Sequence, residues 1–125
     1  MSVSPLDLLQ WAKQQPSHSE CDHRAVVSRA YYAAYHDCVQ WHSALPAPGS
    51  LSPSFKGGGM HHELFDRLSN PGAGMDGPKK MHSRKRAYAL RELHALRVNA
   101  DYKLQEPAPD GIDAVQKAER IFSVC

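Results

Sequence analysis

The stretch Ala25-Val-Val-Ser-Arg-Ala-Tyr-Tyr-Ala-Ala-Tyr-His36 decides the fold. Wound as a helix, it carries apolar residues on nearly every side, the pattern of a helix at the centre of a bundle. Its alanines let neighbouring helices approach closely, while its tyrosines fill space and keep a polar tip for a partner. Ser19 is the expected cap, with Asp22 three residues on in place of the usual Glu or Gln of a capping box. The helix is predicted to run from about Glu20 to about Ser43, on the order of 35 Å at 1.5 Å per residue.

Upstream, Ser4 and Pro5 start a first helix, with Leu6, Leu8, Leu9 and Trp11 as its apolar residues, and Pro16 ends it. Downstream, twelve of the 17 glycines and prolines fall between Pro46 and Pro78. Residues 46–59 therefore read as an irregular, poorly packed loop. A short amphipathic helix follows at Met60-His-His-Glu-Leu-Phe-Asp-Arg-Leu68, with Met60, Leu64, Phe65 and Leu68 on one side. Another long helix is predicted from Lys79 or Met81 to about Leu104, with Tyr88, Leu90, Leu93, Leu96 and Ala100 facing inward. Asp110 caps a last helix bearing Ile112, Val115, Ala118, Ile121 and Phe122. No stretch alternates convincingly with period two, so the chain reads as all-α.

With 125 residues, 42% of them hydrophobic and 22% charged, the chain is predicted to be one globular domain spanning residues 1–125. No apolar run is long enough for a membrane span, and the N-terminus has no signal-peptide pattern. Three scattered cysteines (Cys21, Cys38, Cys125) make a poor disulfide framework and point to the reducing cytoplasm. His18-Ser-Glu-Cys21-Asp-His23 has metal-ligand residue types, but its spacing fits no standard zinc site, so neither metal nor cofactor is expected.

The net charge of +2 hides an uneven distribution. Lys79, Lys80, Arg84, Lys85, Arg86, Arg91 and Arg97 stand against the single Glu92, leaving the rest of the chain acidic. Such a stretch suits a phosphate-rich partner, and Lys79, Lys80, Arg84, Lys85, Arg86 and Arg91 are the candidate RNA-binding residues. Arg29 and His36 are seven residues apart, on one face of the central helix, with Tyr32 between them. Arg97 and Asp101 share a face of the second long helix, and Tyr102 follows. Polar groups near a core must find partners or face a cleft, so Arg29, His36, Arg97, Asp101 and Tyr102 are the candidate catalytic set, expected to converge.

Ser28-Arg-Ala-Tyr-Tyr-Ala-Ala-Tyr-His36, followed by Arg97-Val-Asn-Ala-Asp-Tyr102, resembles the HEPN domain, named for its occurrence in higher eukaryotes and prokaryotes and for nucleotide binding. It is most similar to a small prokaryotic branch, with Tyr35 in place of the usual phenylalanine. The segment Met60-His-His-Glu-Leu-Phe lies where that branch tends to carry a histidine. The resemblance spans about residues 5–122. It implies an up-and-down bundle of four or five helices that forms a two-fold homodimer. It also implies either of two functions. One is RNA binding or metal-independent RNA cleavage in a toxin–antitoxin or defence setting. There an arginine stabilises the phosphorane and a histidine deprotonates the ribose 2′-hydroxyl. The other is a non-catalytic dimeric scaffold that pairs with a nucleotidyltransferase-like antitoxin and binds a nucleotide. The nuclease signature places a histidine after the late arginine with four to six residues between them. Here residues 98–104 contain none, and Asp101 and Tyr102 stand in its place. Either His36 or a loop histidine, His61 or His62, supplies the base, or the chain is not a nuclease.

Overall fold

A computed structural model describes residues 3–123, which form five helices: α1 (Pro5–Gln14), α2 (Glu20–Ser43), α3 (Gly59–Ser69), α4 (Gly77–Tyr102) and α5 (Gly111–Ser123). There is no strand among the described residues. Cys125 lies outside them; Cys21 is exposed and Cys38 buried, both as free thiols. No described helix is long and apolar enough to cross a membrane.

The helix starts follow from local chemistry. Ser4 and Asp7 form a reciprocal capping box at α1, with Pro5 in the first turn, and Ser19 and Asp22 form another at α2. Asp76 caps α4 by accepting from the Lys79 amide at 2.8 Å, so that helix starts earlier than expected, at Gly77. Asp110 accepts from the Ile112 amide at 2.9 Å at the start of α5.

The centre of the bundle is α2, packed against α1, α4 and α5. Ala30, Ala33 and Ala34 are fully buried where the neighbouring helices close on it, and Val26, Val27, Tyr31 and Cys38 complete its apolar girdle. The stripe Ala114, Val115, Ala118 and Ile121 of α5 faces it. Burial also pushes the Cys38 thiol up to about 11, so it acts as a small apolar group. By contrast, α3 lies mainly on α4, through Leu64, Phe65 and Leu68.

Several expected inward positions face outward. Met60 is 75% exposed, Tyr88 71% and Ile112 54%. Met60 and Ile112 sit in first turns whose inward positions are taken by His61 and by Gly111. On α4 the inward arc is set by Ala87, Leu90 and Leu93, which turns Tyr88 away. Arg86 is a further correction. It is only 4% exposed and does not share the solvent face of the basic stretch. Its Nη1 meets Asp37 Oδ2 at 2.8 Å, its Nε donates to His82 Nε2 at 2.8 Å, and its guanidinium lies 5.0 Å from the Trp41 ring centroid.

The loop before α3 is irregular, as its composition demands, but its first half is pinned rather than loosely packed. The Gly49 amide donates to His42 Nε2 and its carbonyl accepts from Arg67 Nη1 at 2.8 Å. The Ser50 amide donates to the Asn70 carbonyl, and the Ser52 amide to Asp66 Oδ2. A Cβ at position 49 would fall 1.9 Å from the Arg67 carbonyl oxygen, so only glycine fits this approach.

Arg24, unremarkable in the sequence, closes the far end of α4. Its guanidinium donates to the carbonyls of Asn99, Ala100, Leu104 and Glu106 and pairs with Glu20 at 2.7 Å. A cation there satisfies terminal carbonyls and complements the helix dipole. Arg24→Ala should lower unfolding stability by about 2 kcal/mol, the range for hydrogen bonds to a charged group. The check is a urea midpoint that falls with an unchanged slope.

Candidate functional site

Three helices meet around a cluster of tyrosines, histidines and one arginine. Tyr31, Tyr32, Tyr35 and His36 come from α2, His61 and His62 from the first turn of α3, and His94, Arg97, Asp101 and Tyr102 from α4. Arg97 Nη2 donates to the Tyr32 hydroxyl at 2.9 Å. Its guanidinium carbon lies 5.3 Å from the ring centroids of both Tyr32 and Tyr102, so the cation is flanked by two aromatic faces. Arg97 Nε is 2.9 Å from Asp101 Oδ2, close enough for an ion pair but with its N–H aimed off the oxygen. Ser28 Oγ reaches the same carboxylate oxygen at 3.4 Å. Burial opposes the charge on Arg97, but Tyr32 and Asp101 outweigh it and hold the guanidinium protonated.

The histidines form the other half. His61 stacks on Tyr35 with ring centroids 4.3 Å apart, and its Nδ1 is hydrogen-bonded to the Tyr31 hydroxyl. Burial pushes the Tyr31 phenol far above its ordinary range, so it keeps its proton. That hydroxyl has no other acceptor among the described residues and therefore donates to Nδ1. The neutral ring of His61 then carries its proton on Nε2. His94 packs edge-on to Tyr31, Phe65 and His62 at 5.1–5.5 Å. His36 is exposed, with ring contacts to Tyr32 and Tyr35.

Burial, then the nearby Arg97 and His62, lower the His61 pKa below its ordinary 6.5; burial, then His62 and His61, do the same for His94. Burial and Arg67 lower that of His42. These rings are more easily protonated in the unfolded chain than in the fold. Stability from this source is therefore complete above about pH 6.5 and is lost as pH falls through the lowered folded values. A series of melts from pH 8 to pH 5 should show Tm declining below about pH 6.5, and His61→Asn with His94→Asn should flatten that decline.

Four of the five candidate residues lie in this cluster. Arg97, Asp101 and Tyr102 are in mutual contact, and His36 joins through Tyr32. Arg29 stands apart: it is exposed and takes part in no hydrogen bond, ion pair or ring contact among the described residues. Positions 28 and 32 of α2 face α4 instead, where Ser28 contacts Asp101 and Tyr32 contacts Arg97. His94 went unread in the sequence, although the three-residue steps Arg91, His94, Arg97 place it on the same side of α4. Asn99 offers its backbone carbonyl to Arg24, while its buried Oδ1 has no partner among the described residues.

The basic stretch divides. Lys79, Arg84, Lys85 and Arg91 are exposed and Lys80 half-buried, all available to an anionic partner, whereas Arg86 is spent on Asp37. The segment His18–His23 is absorbed by helix ends: Asp22 caps α2, and His23 Nδ1 accepts from the Gly111 amide at 2.9 Å. Among the described residues no group of three or more His, Cys, Asp or Glu side chains is arranged to hold a metal ion.

No family model, curated protein or solved structure matches the chain.

Proposed function

We propose that this chain is a HEPN-type protein of the cytoplasm that binds RNA and cleaves it without a metal, in a toxin–antitoxin or defence setting. The observation that carries the reading is the meeting of Arg97 with His61 of α3 and His94 of its own helix, two imidazoles whose pKa values burial lowers, beside an exposed basic stretch. In this reading Arg97 bonds the equatorial oxygens of the pentacoordinate phosphorus and offsets the charge developing there. His36, on the rim, accepts the 2′-hydroxyl proton as that oxygen attacks the phosphorus, and the P–O5′ bond breaks with the departing 5′-oxygen taking a proton from water. His61, with Nδ1 taken by Tyr31, directs its Nε2–H toward a phosphate oxygen. Lys79, Lys80, Arg84, Lys85 and Arg91 neutralise flanking phosphates. Completion of the cleft by a second copy, as a homodimer, belongs to the same proposal.

One observation favours a second reading. Arg97 is paired with Asp101 where the nuclease signature has a histidine, which suits a non-catalytic dimeric scaffold that docks a nucleotidyltransferase-like partner and binds a nucleotide. The purified chain, incubated with single-stranded RNA in excess EDTA, separates the two. Cleavage to 2′,3′-cyclic phosphate ends, abolished by a 2′-deoxy substitution at the cut site, supports the nuclease. Stable RNA binding without cleavage restricts the proposal to RNA binding, and neither binding nor cleavage leaves the scaffold.

A further inference from the structure

A pocket about 350 Å³ in volume opens where residues 52–57 face α3 and α4. Phe55, Lys56, His62, Asp66 and Arg91 are among its walls. It adjoins the cluster described above, because the His62 ring that lines it packs edge-on to His94 with centroids 5.1 Å apart. On α4, Arg91, His94 and Arg97 follow one another at three-residue steps. They descend about 9 Å along the axis while turning about 120° around it, with His94 between the pocket and the Arg97 guanidinium.

The charges in this pocket are unevenly satisfied. Both oxygens of Asp66 are taken by Ser52, whose amide donates at 2.6 Å and whose hydroxyl donates at 2.8 Å. The cations are less engaged. Arg91 lies near enough to Asp66 to help hold that carboxylate ionised, but it makes one hydrogen bond, from Nη1 to Ser69 Oγ at 2.8 Å, which leaves most of its donors unused. Lys56 is exposed and has no ion pair among the described residues. Phe55 is half-buried beside them, an aromatic surface at the edge of a cationic opening. An aromatic face with two unspent cations is the equipment for one nucleotide of a single strand: the base stacks, and the phosphate is neutralised.

We infer that this pocket is a subsite for the nucleotide flanking the one that is cut, with Phe55 stacking on its base and Lys56 and Arg91 holding its phosphate. The inference rests on the RNA-cleaving reading and adds to it where the strand runs: from the cleft, past His94 and His62, into the loop. It also gives the loop 52–57 a task, since its anchoring through Ser52 and Asp66 positions Phe55.

Fluorescence anisotropy with a labelled single-stranded oligouridylate on the full chain tests it, alongside cleavage of the same strand. Phe55→Ala should weaken binding about tenfold, the loss of one stacked base. Arg91→Gln and Lys56→Gln alter exposed side chains, so the fold is retained. Each should weaken binding and reduce the dependence of log Kd on log salt by about one counterion. In cleavage, the loss should appear in KM rather than in kcat. If the wild type binds and cuts RNA but all three variants bind as it does, the subsite is overturned and the nuclease reading stands. If the wild type binds no RNA, both fail together.

Discussion

Arg97→Ala should reduce RNA cleavage by roughly a hundred- to a thousandfold, the usual cost of removing one pre-positioned donor from a developing anion. The magnitude follows from the way the guanidinium is held. Tyr32 and Tyr102 flank it, Tyr32 also accepts a hydrogen bond from Nη2, and Asp101 sits at Nε, so it cannot swing away. Arg97→Lys keeps the charge but loses the planar fork, so it should retain most RNA affinity while losing most of kcat. The variants must be compared at equal folded fraction, because removal of Arg97 leaves Asp101 without its partner. Asp101 is partly open to water, so the change in Tm should be small beside the change in rate. Cleavage by Arg97→Ala at the wild-type rate would remove this cluster from consideration as the reaction centre.

The second large effect concerns stability. Asp37→Ala should destabilise the fold by about 3 kcal/mol, since it strands a guanidinium inside the bundle. The Arg86 side chain is 5% exposed, and Asp37 is its carboxylate partner. The stacked Trp41 and the acceptor His82 cannot neutralise a full charge. Replacing both partners, Arg86→Met with Asp37→Leu, should recover much of the loss, because the desolvation cost disappears with the charge. Urea denaturation of the two single variants and the double variant gives the coupling directly. If Asp37→Ala costs less than about 0.5 kcal/mol, water reaches Arg86 and the pair is a surface one.

Arg86 also shows how far a sequence can be read. Helix starts are local events, so Ser4, Ser19 and Asp110 are legible as caps before any fold is known. The all-α architecture and the central place of α2 follow from the apolar girdle between Val26 and Cys38. What lies beyond one helix is harder to read. Nothing in residues 79–97 distinguishes Arg86 from Arg84 and Lys85; only the arrival of Asp37 and Trp41 from α2 makes it a buried residue. Arg29 fails for a related reason. Helical geometry places it on one face with His36, but which face meets α4 depends on the crossing of two helices, and that crossing selects Ser28 and Tyr32. The imidazole cluster was half legible: His61 and His62 stood out as a pair, while His94 was hidden among the leucines of α4.

The attachment of α3 bears on how the site holds together. This helix rests mainly on α4; it meets the central helix through His61, against Tyr31 and Tyr35, and a loop through hydrogen bonds. His61 and His62 thus belong to a peripheral unit, while Arg97 and Tyr32 belong to the bundle. Units with few buried contacts open at lower free energy than the core they lean on. Opening of α3 is therefore expected to carry His61 and His62 away from the guanidinium, while His36 and His94 stay with the bundle. The Tyr31–His61 hydrogen bond, reaching from the core to the first turn of α3, is the clasp between an assembled centre and a dismantled one.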